Sequence, residues 1–355
     1  MENIIKKLKH HKLAWIGGIL LIILYIGAIF ADFISPYYYD TENRSRQYQP
    51  PTTLHFKDSA GRFSLRPYVY NYRLIIDSET FEKTYEPITE KKYYVNFFVH
   101  GDKHIILGLF ESDLHLFGVE EPARVFIFGS DISGRDVFSR ILFGSRISLS
   151  IGLLGVFLTF TIGMFIGGLS GYLGGKIDII IMHLCEILMS FPGFYLLLAL
   201  RYVFPPTLTS TEVYILIVVI LSFISWGGLA RVIRNMVVSI REEPFCQAAR
   251  AIGASDLRIV LRHILPNTLS YAIVSATLSI PGYILGESAL SVLNLGIMEP
   301  QASWGNMLIS AQSIEVMTSH PWILVPGIFI FIAVMSFNIL GDGLRDASDP
   351  KTNAL

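Results

Sequence analysis

From Ile147 to Gly175 this chain runs without a formal charge, and that run constrains its fold more than any other stretch. About 20 apolar residues cross a bilayer core of about 30 Å, so a run of this length is a membrane span with residues to spare. In lipid the backbone must satisfy its own hydrogen bonds, which restricts a spanning segment to a helix or a strand of a closed barrel. Gly163, Gly167, Gly171 and Gly175 recur at every fourth residue of the run, and small residues on one helical stripe let a second helix approach closely. Composition agrees with a membrane-embedded body: the 355 residues are 52% hydrophobic and only 16% charged, where soluble domains carry about a quarter charged residues. A net charge of −1 offers no basic excess for a nucleic-acid partner.

Five further apolar segments share this character: Leu13–Ala31, Ile179–Leu200, Val213–Ala230, Ile264–Gly286 and Pro321–Gly341. The first follows Lys6, Lys7, Lys9 and Lys12. Its core is too long for a cleaved signal peptide and no small-residue cleavage site follows, so it reads as a retained span with a cytoplasmic N-terminus. Arg231, Arg234, Arg241, Arg250, Arg258 and Arg262 surround the connection between the fourth and fifth spans, whereas Leu295–His320 holds no Lys or Arg. The arginine-rich connection is therefore assigned to the cytoplasm. Residues 32 to 127 are tyrosine-rich, and Tyr68–Ile76 and Lys92–His100 carry the Tyr, Val, Ile and Phe content of strands. The expected fold is an all-α polytopic membrane protein with six transmembrane helices, both termini cytoplasmic, and an extracytoplasmic β-rich insertion between spans one and two. The expected boundaries are 1–31 for the N-terminus and first span, 32–127 for the insertion, 128–341 for the five-span core, and 342–355 for a cytoplasmic tail.

Within the core, Glu243–Asn267 is charged and amphipathic between two apolar segments. Phe245, Ala248, Ala249 and Ile252 fall at i, i+3, i+4, i+7, and Leu257, Val260, Leu261 and Ile264 repeat that spacing, so two short helices are expected. Gly253 lies between them as a left-handed C-cap, Ser255 stands at the N-cap of the second, and Pro266 marks a boundary before the next span. Chemistry-bearing patterns are sparse. The stretch Ser170–Ile177, SGYLGGKI, fails the phosphate-loop pattern at both ends, since Ser170 stands where glycine is needed and Ile177 where Ser or Thr is needed. The chain therefore carries no nucleotide site of its own, and its nine histidines form no metal-binding pattern. Cys185 and Cys246 match no metal or redox spacing. Ionisable groups within spans cost about 2.5–3.5 kcal/mol each and mark function by default. The candidates for a translocation path are Glu186, with His183 at i−3, and Glu287; the competing reading places His183 and Glu186 near the interface or against a neighbouring subunit, and Glu287 in an extracytoplasmic re-entrant region.

Taken together these blocks resemble the permease subunits of binding-protein-dependent ABC importers, and within them the C-type subunit of oligopeptide and dipeptide systems. The resemblance rests on Gln247, Ala248, Ala249, Gly253 and Ile264-Leu265-Pro266 of the cytoplasmic loop. It also rests on FGSDISGRDVFSRILFGSRISLSIGLL from Phe128, SALSVLNLGIMEPQASWGNML from Ser288 and FNILGDGLRDASDP from Phe337. It implies a permease subunit in the inner (cytoplasmic) membrane of a prokaryote, passing peptides delivered by an extracytoplasmic peptide-binding protein. It further implies pairing with a second homologous permease and with two ATP-binding subunits, which would hold ATP and Mg; this chain would hold no cofactor and catalyse nothing. Gln247, Ala248, Ala249, Arg250, Gly253, Ala254 and Ser255 would couple to an ATPase through a short helix. Two positions depart from the family pattern: Gln247 replaces its glutamate, and Asn294 replaces the first glycine of a turn. The alternative is an autonomous proton-coupled secondary transporter using Glu186 and Glu287, although no internal repeat of the kind such transporters carry relates the two halves.

Overall fold

The structure is a computed structural model that describes residues 11–57, 63–76, 78–79, 83–106, 110–205 and 207–348. Lys6, Lys7 and Lys9, which set the expected orientation, lie outside the described residues, as does the end of the tail. The longer helices are α1 (Lys12–Ile29), α2 (Val137–Leu173), α3 (Gly175–Ser190), α4 (Gly193–Val203), α5 (Ser210–Ile240), α6 (Pro244–Ala251), α7 (Asp256–Val292) and α8 (Pro321–Ser348). Among the described residues, α1, α2, α5, α7 and α8 are each long and apolar enough to cross a membrane.

The third expected span, Ile179–Leu200, is not one helix. α3 and α4 meet at a bend of 89°. Pro192 forces the residue before it out of the helical region, and Phe191 accordingly sits in extended backbone at φ −84°, ψ 135°. The helix is thus fully broken at Pro192. The pair counts as a sixth span only if both arms are taken together.

By internal contact the chain divides into two units. One comprises residues 23–148 and 291–330. It holds an antiparallel sheet of β1 (His55–Lys57), β2 (Phe63–Ile76) and β3 (Lys83–Tyr94) in that order, and a second pair, β4 (Asn96–Ile106) with β5 (Phe110–Gly118). In the β2–β3 register Val69 stands opposite Tyr93, and both are buried with Val95, Ala123 and Val125. Arg46 fastens the leading segment to this core: its guanidinium donates to Gln49 Oε1 at 2.8 Å, to Asn71 Oδ1 at 2.7 Å and to the Pro122 carbonyl at 2.8 Å.

The start of α2 is fixed by charge. Asp136 caps the helix, accepting from the Ser139 amide at 2.9 Å and hydroxyl at 2.6 Å. Arg135 and Arg140 both reach Glu299, Arg140 at 2.8 Å, while Arg135 also holds Asp131 at 2.7 Å. Trp304 is buried beside them, with its amide donating to Ser148 Oγ at 3.1 Å and its indole to the Ile141 carbonyl at 3.1 Å. A third arginine, Arg146, donates to the Ala28 and Ile29 carbonyls at the end of α1 and pairs with Asp32 at 2.5 Å. It thereby satisfies carbonyls that a helix end leaves without partners.

The other unit comprises residues 1–22, 149–290 and 331–355. α2 and α5 pack here along the glycine stripe. A side chain at Gly171 would come within 2.6 Å of the Arg234 carbonyl, and one at Gly163 within 2.9 Å of the Leu229 side chain. Gly175, the fourth glycine of the repeat, plays another part: α2 ends at Leu173, and Gly174 and Gly175 have φ of +65° and +58°, making the turn into α3. α5 opens on a capping box between Thr209 and Glu212.

The arginine pair on Glu299 yields a stability prediction. Breaking a wholly buried ion pair costs about 3–5 kcal/mol, but the Glu299 side chain is 46% exposed and partly screened, so Glu299→Gln is expected to cost about 1–2 kcal/mol. The measurement is the Tm of the solubilised protein against Glu315→Gln, a control at an exposed carboxylate.

Candidate functional site

The segment 243–267 forms α6, a turn and the first part of α7. Glu243 precedes Pro244, which sits in the first helical turn where its missing N–H costs nothing. The helix closes in a Schellman arrangement: the Gly253 amide donates to the Arg250 carbonyl at 3.0 Å and the Ala254 amide to the Ala249 carbonyl at 3.1 Å. Gly253 has φ +84°, the left-handed geometry this motif needs, and the space around it is open. Ser255 stands at the N-cap of the next helix, but its hydroxyl does not bond there.

Pro266 does not end the second helix. Asp256–Val292 is continuous, and Val260–Ile264 widens into a π turn in which the Leu265 amide donates to the Val260 carbonyl. A proline ring clashes with the carbonyl four residues back in a regular α-helix, and the wider turn just before it relieves that crowding.

The two apolar stripes also divide differently from their spacing. Cys246 and Ala249 face inward, into a cluster with Tyr172, Ile233, Val237, Ile259, Val260 and Ile264. Phe245, Ala248, Ile252, Leu257 and Leu261 face outward, with Ile252 86% exposed. Burial pushes the Cys246 thiol above its ordinary range, which fits a packing role. Gln247 is on the exposed side, and its amide turns back to donate to the Glu242 carbonyl at 3.1 Å.

Polar contacts hold α6 in place from within its unit. Tyr172, near the end of α2, donates its hydroxyl proton to Asp256 Oδ1 at 2.8 Å and accepts from Arg250 at 3.1 Å. The Arg250 guanidinium also lies 5.4 Å from the centre of the Tyr172 ring. Arg241 donates to the Gly171 carbonyl at 3.1 Å, covering the end of α2. Asp178, at the start of α3, accepts from Ser170 Oγ at 2.6 Å and from Arg234 at 2.9 Å. Loop and helix ends thus form one hydrogen-bonded seat beneath an exposed apolar face.

The two path candidates lie apart from this seat and from each other's partners. Glu186 is exposed and pairs with Arg231 at 3.2 Å, while His183 Nδ1 faces the Ile179 carbonyl at 2.8 Å. Glu287 is fully buried in α7, with the Ser288 hydroxyl 3.4 Å from its carboxylate. A feature absent from the motif reading is a cavity of about 430 Å³ among α2, α5 and α7. Thr159, Ser225, Tyr271, Ser275, Ser279 and Tyr283 line it with hydroxyls, Gly228 and Gly282 open it, and no charged side chain borders it. The signal was present in the sequence: Tyr271, Ser275 and Ser279 recur at every fourth residue of a span without a charged residue.

Comparison with known proteins gives two family-model matches. "Binding-protein-dependent transport system inner membrane component" matches residues 161–354. "N-terminal TM domain of oligopeptide transport permease C" matches residues 1–51. The oligopeptide transport system permease protein OppC of Haemophilus influenzae is 43% identical over 226 residues, covering 63% of this chain and 70% of that protein. The dipeptide transport system permease protein DppC of Bacillus subtilis is 39% identical over 231 residues, covering 65% of this chain and 70% of its own length. The glutathione transport system permease protein GsiD of Escherichia coli O6:K15:H31 is 41% identical over 230 residues, with coverages of 65% and 74%.

The turn at Gly253 separates conformational strain from steric clash. Since a side chain there meets no atom within 4 Å, Gly253→Ala is expected to cost only the left-handed strain of about 1–2 kcal/mol. Hydrogen exchange at the Gly253 and Ala254 amides is the readout, with faster exchange expected there and unchanged protection within α5.

Proposed function

This chain belongs to the family of binding-protein-dependent transport system inner membrane components, and we propose that it passes peptides through a path it forms with a second, homologous permease. Family membership makes it a permease subunit of an ATP-driven importer, with ATP hydrolysis carried by separate subunits. The peptide assignment is supported by relatives named for oligopeptide, dipeptide and glutathione transport. Two ATP-binding subunits, holding ATP and Mg, and an extracytoplasmic peptide-binding protein complete the assembly in the inner membrane of a prokaryote. In this reading α3 and α4 together make the sixth span, both termini are cytoplasmic, and 32–127 is an extracytoplasmic insertion ahead of a 128–341 core and a 342–355 tail.

The observation that carries the reading is the rigid seat of α6 under an exposed apolar face. Phe245, Ala248 and Ile252 sit on a segment with the arginine bias of a cytoplasmic loop, Leu257 and Leu261 carry the exposed stripe onto the first turns of α7, and such a stripe is completed by a groove on another protein. We assign that groove to an ATPase subunit, with Gln247, Ala248, Ala249, Arg250, Gly253, Ala254 and Ser255 forming the coupling element. Gln247 would offer its amide to the partner where relatives offer a carboxylate. Because Arg250 and Asp256 are both tied to Tyr172, a push on α6 moves the start of α7 and the end of α2 together. Closure of the ATPase pair would then reach the spans as a rigid-body movement.

The hydroxyl-lined cavity supplies the second half of the reading. A hydroxyl stripe turned toward lipid gains nothing, whereas a stripe facing a passage can trade hydrogen bonds with an uncharged peptide backbone. We place the translocation surface along Tyr271, Ser275 and Ser279. Glu186 and Glu287 remain weaker candidates, since neither borders that cavity. A proton-driven transporter is not favoured, because the family match brings its energy from other subunits.

Ile252→Asp is expected to weaken ATPase attachment by about 2 kcal/mol, the scale of an interface hot spot, and to reduce peptide uptake in parallel. Co-purification of the ATPase subunits measures it, and recovery of an active transporter with no ATPase attached would sink the reading. Gly253→Pro removes a donor and demands a negative φ, so uptake should be lost while the chain stays in the membrane. Ser279→Leu should lower uptake with ATPase attachment unchanged, which separates path from coupling.

A further inference from the structure

At the end of α1 an apolar stripe runs off the helix and onto the β4–β5 ribbon, within the unit formed by residues 23–148 and 291–330. α1 has 18 residues, or about 27 Å at about 1.5 Å per residue, close to the bilayer core of about 30 Å. Helical hydrogen bonding continues through Phe30 into a further turn, Ala31–Ile34. Phe30 and Phe33 therefore stand where an α1 that crosses the membrane leaves hydrocarbon. Ile23, Ile26, Phe30 and Phe33 fall at i, i+3, i+7, i+10 on one helical face, and the first three are exposed. Phe98 of β4 extends this stripe: its ring lies 6.2 Å from that of Phe33, and the residue is 63% exposed.

Phe63 and Phe110 are as exposed as Phe98, so two other features set Phe98 apart. Its φ is +55°, a geometry that a bulky side chain rarely adopts and that persists where surrounding structure imposes it. Its strand is also fastened to the chain just after α1. The Asp102 carboxylate accepts from the Thr41 hydroxyl at 3.1 Å and the Tyr38 amide at 3.4 Å. The buried His115 has its ring nitrogens 2.6 Å from the Ser35 carbonyl and 3.0 Å from the Asp102 carbonyl. The ribbon is thus held at the level where α1 ends. The small residue of this part of α1, Gly27, faces inward, where a side chain would come within 3.3 Å of Leu142, whereas the outward stripe holds only large residues. Helices that pair in a membrane approach through small residues, so the outward stripe suits acyl chains better than a partner helix. We propose that Phe98, together with Phe33 and Phe30, enters the acyl-chain boundary of the leaflet at which α1 ends, and so seats the β4–β5 ribbon on the membrane. Aromatic rings at that depth bury their faces in hydrocarbon, and exposed apolar patches beside a span mark such contact. The proposal rests on α1 crossing the membrane and is independent of the coupling and path assignments.

The test uses the full chain in the assembly with which it purifies, rebuilt in phospholipid nanodiscs, with Phe98→Cys, Phe30→Cys or Glu90→Cys carrying a nitroxide label. Cys185 and Cys246 are buried, and the unsubstituted assembly is the blank. Collisions of the label with oxygen, which concentrates among acyl chains, are compared with collisions with a water-soluble nickel chelate. The oxygen-to-nickel ratio at Phe98 should match that at Phe30 and exceed that at Glu90, an exposed residue of β3. A nickel-favoured signal at Phe98 beside an oxygen-favoured one at Phe30 would overturn this proposal alone, and a nickel-favoured signal at both would overturn the membrane reading of α1 with it. Exclusion of both reagents at Phe98 would overturn the lipid assignment in favour of a partner protein. If Phe98→Cys fails to assemble, the unsubstituted assembly decides: a phospholipid with a photoreactive diazirine in its acyl chain should mark residues 97–99 as well as α1, and marking of α1 without that segment overturns the proposal.

Discussion

The close approach of α2 to α5, to the Leu229 side chain at Gly163 and to the backbone at Gly167 and Gly171, is the constraint on which the rest of the helical unit depends. It brings the Arg234 carbonyl to within 2.6 Å of where a side chain at Gly171 would stand. At that spacing Arg234 reaches Asp178, Arg241 reaches the Gly171 carbonyl, and Tyr172 is presented to Arg250 and Asp256. A larger residue in the stripe would separate the helices and detach these contacts together. In hydrocarbon no hydrophobic force draws two helices together, so close packing and polar contacts at their ends must supply the association. The exposed face of α6 has a defined orientation only because this seat exists.

A second arrangement explains why distant blocks of sequence share one fate. Asp131, Arg135 and Arg140 from the stretch before and into α2 gather with Glu299, while Trp304 inserts its indole against the Ile141 carbonyl. Acid, base and aromatic residues more than 150 positions apart thus form one polar core. Each needs the others, since a buried guanidinium without its carboxylate is strongly unfavourable.

Much of this was legible beforehand. Long apolar runs marked the helices that are long and apolar enough to cross a membrane, and the arginine-rich connection between α5 and α7 folds as the short helix α6. Gly253 was readable as a turn because few other residues accept its φ. What escaped the sequence was phase. Periodicity grouped Ala249 with Phe245 and Ile252, but the surrounding helices determine which edge of a stripe is covered, and here it is the edge of Cys246 and Ala249. Gly175 matched the packing repeat by count and serves a turn by position, one residue beyond Gly174. The single expected span Ile179–Leu200 folds as two helices, since Phe191 takes extended backbone before Pro192. The hydroxyl stripe on α7 was present in the letters, but chemistry was sought in ionisable residues and an uncharged wall carries none.

The π turn at Val260–Ile264 has a geometric consequence for everything downstream. A regular α-helix advances about 100° per residue, and a turn that absorbs one extra residue resets the azimuth of the remainder by that amount. The direction in which Tyr271, Ser275 and Ser279 point is therefore governed by a widened turn at the end of α7 that adjoins α6. The turn acts as a phase shifter: tightening it to an α turn would rotate the hydroxyl stripe about the helix axis, with no need for the helix to slide or tilt.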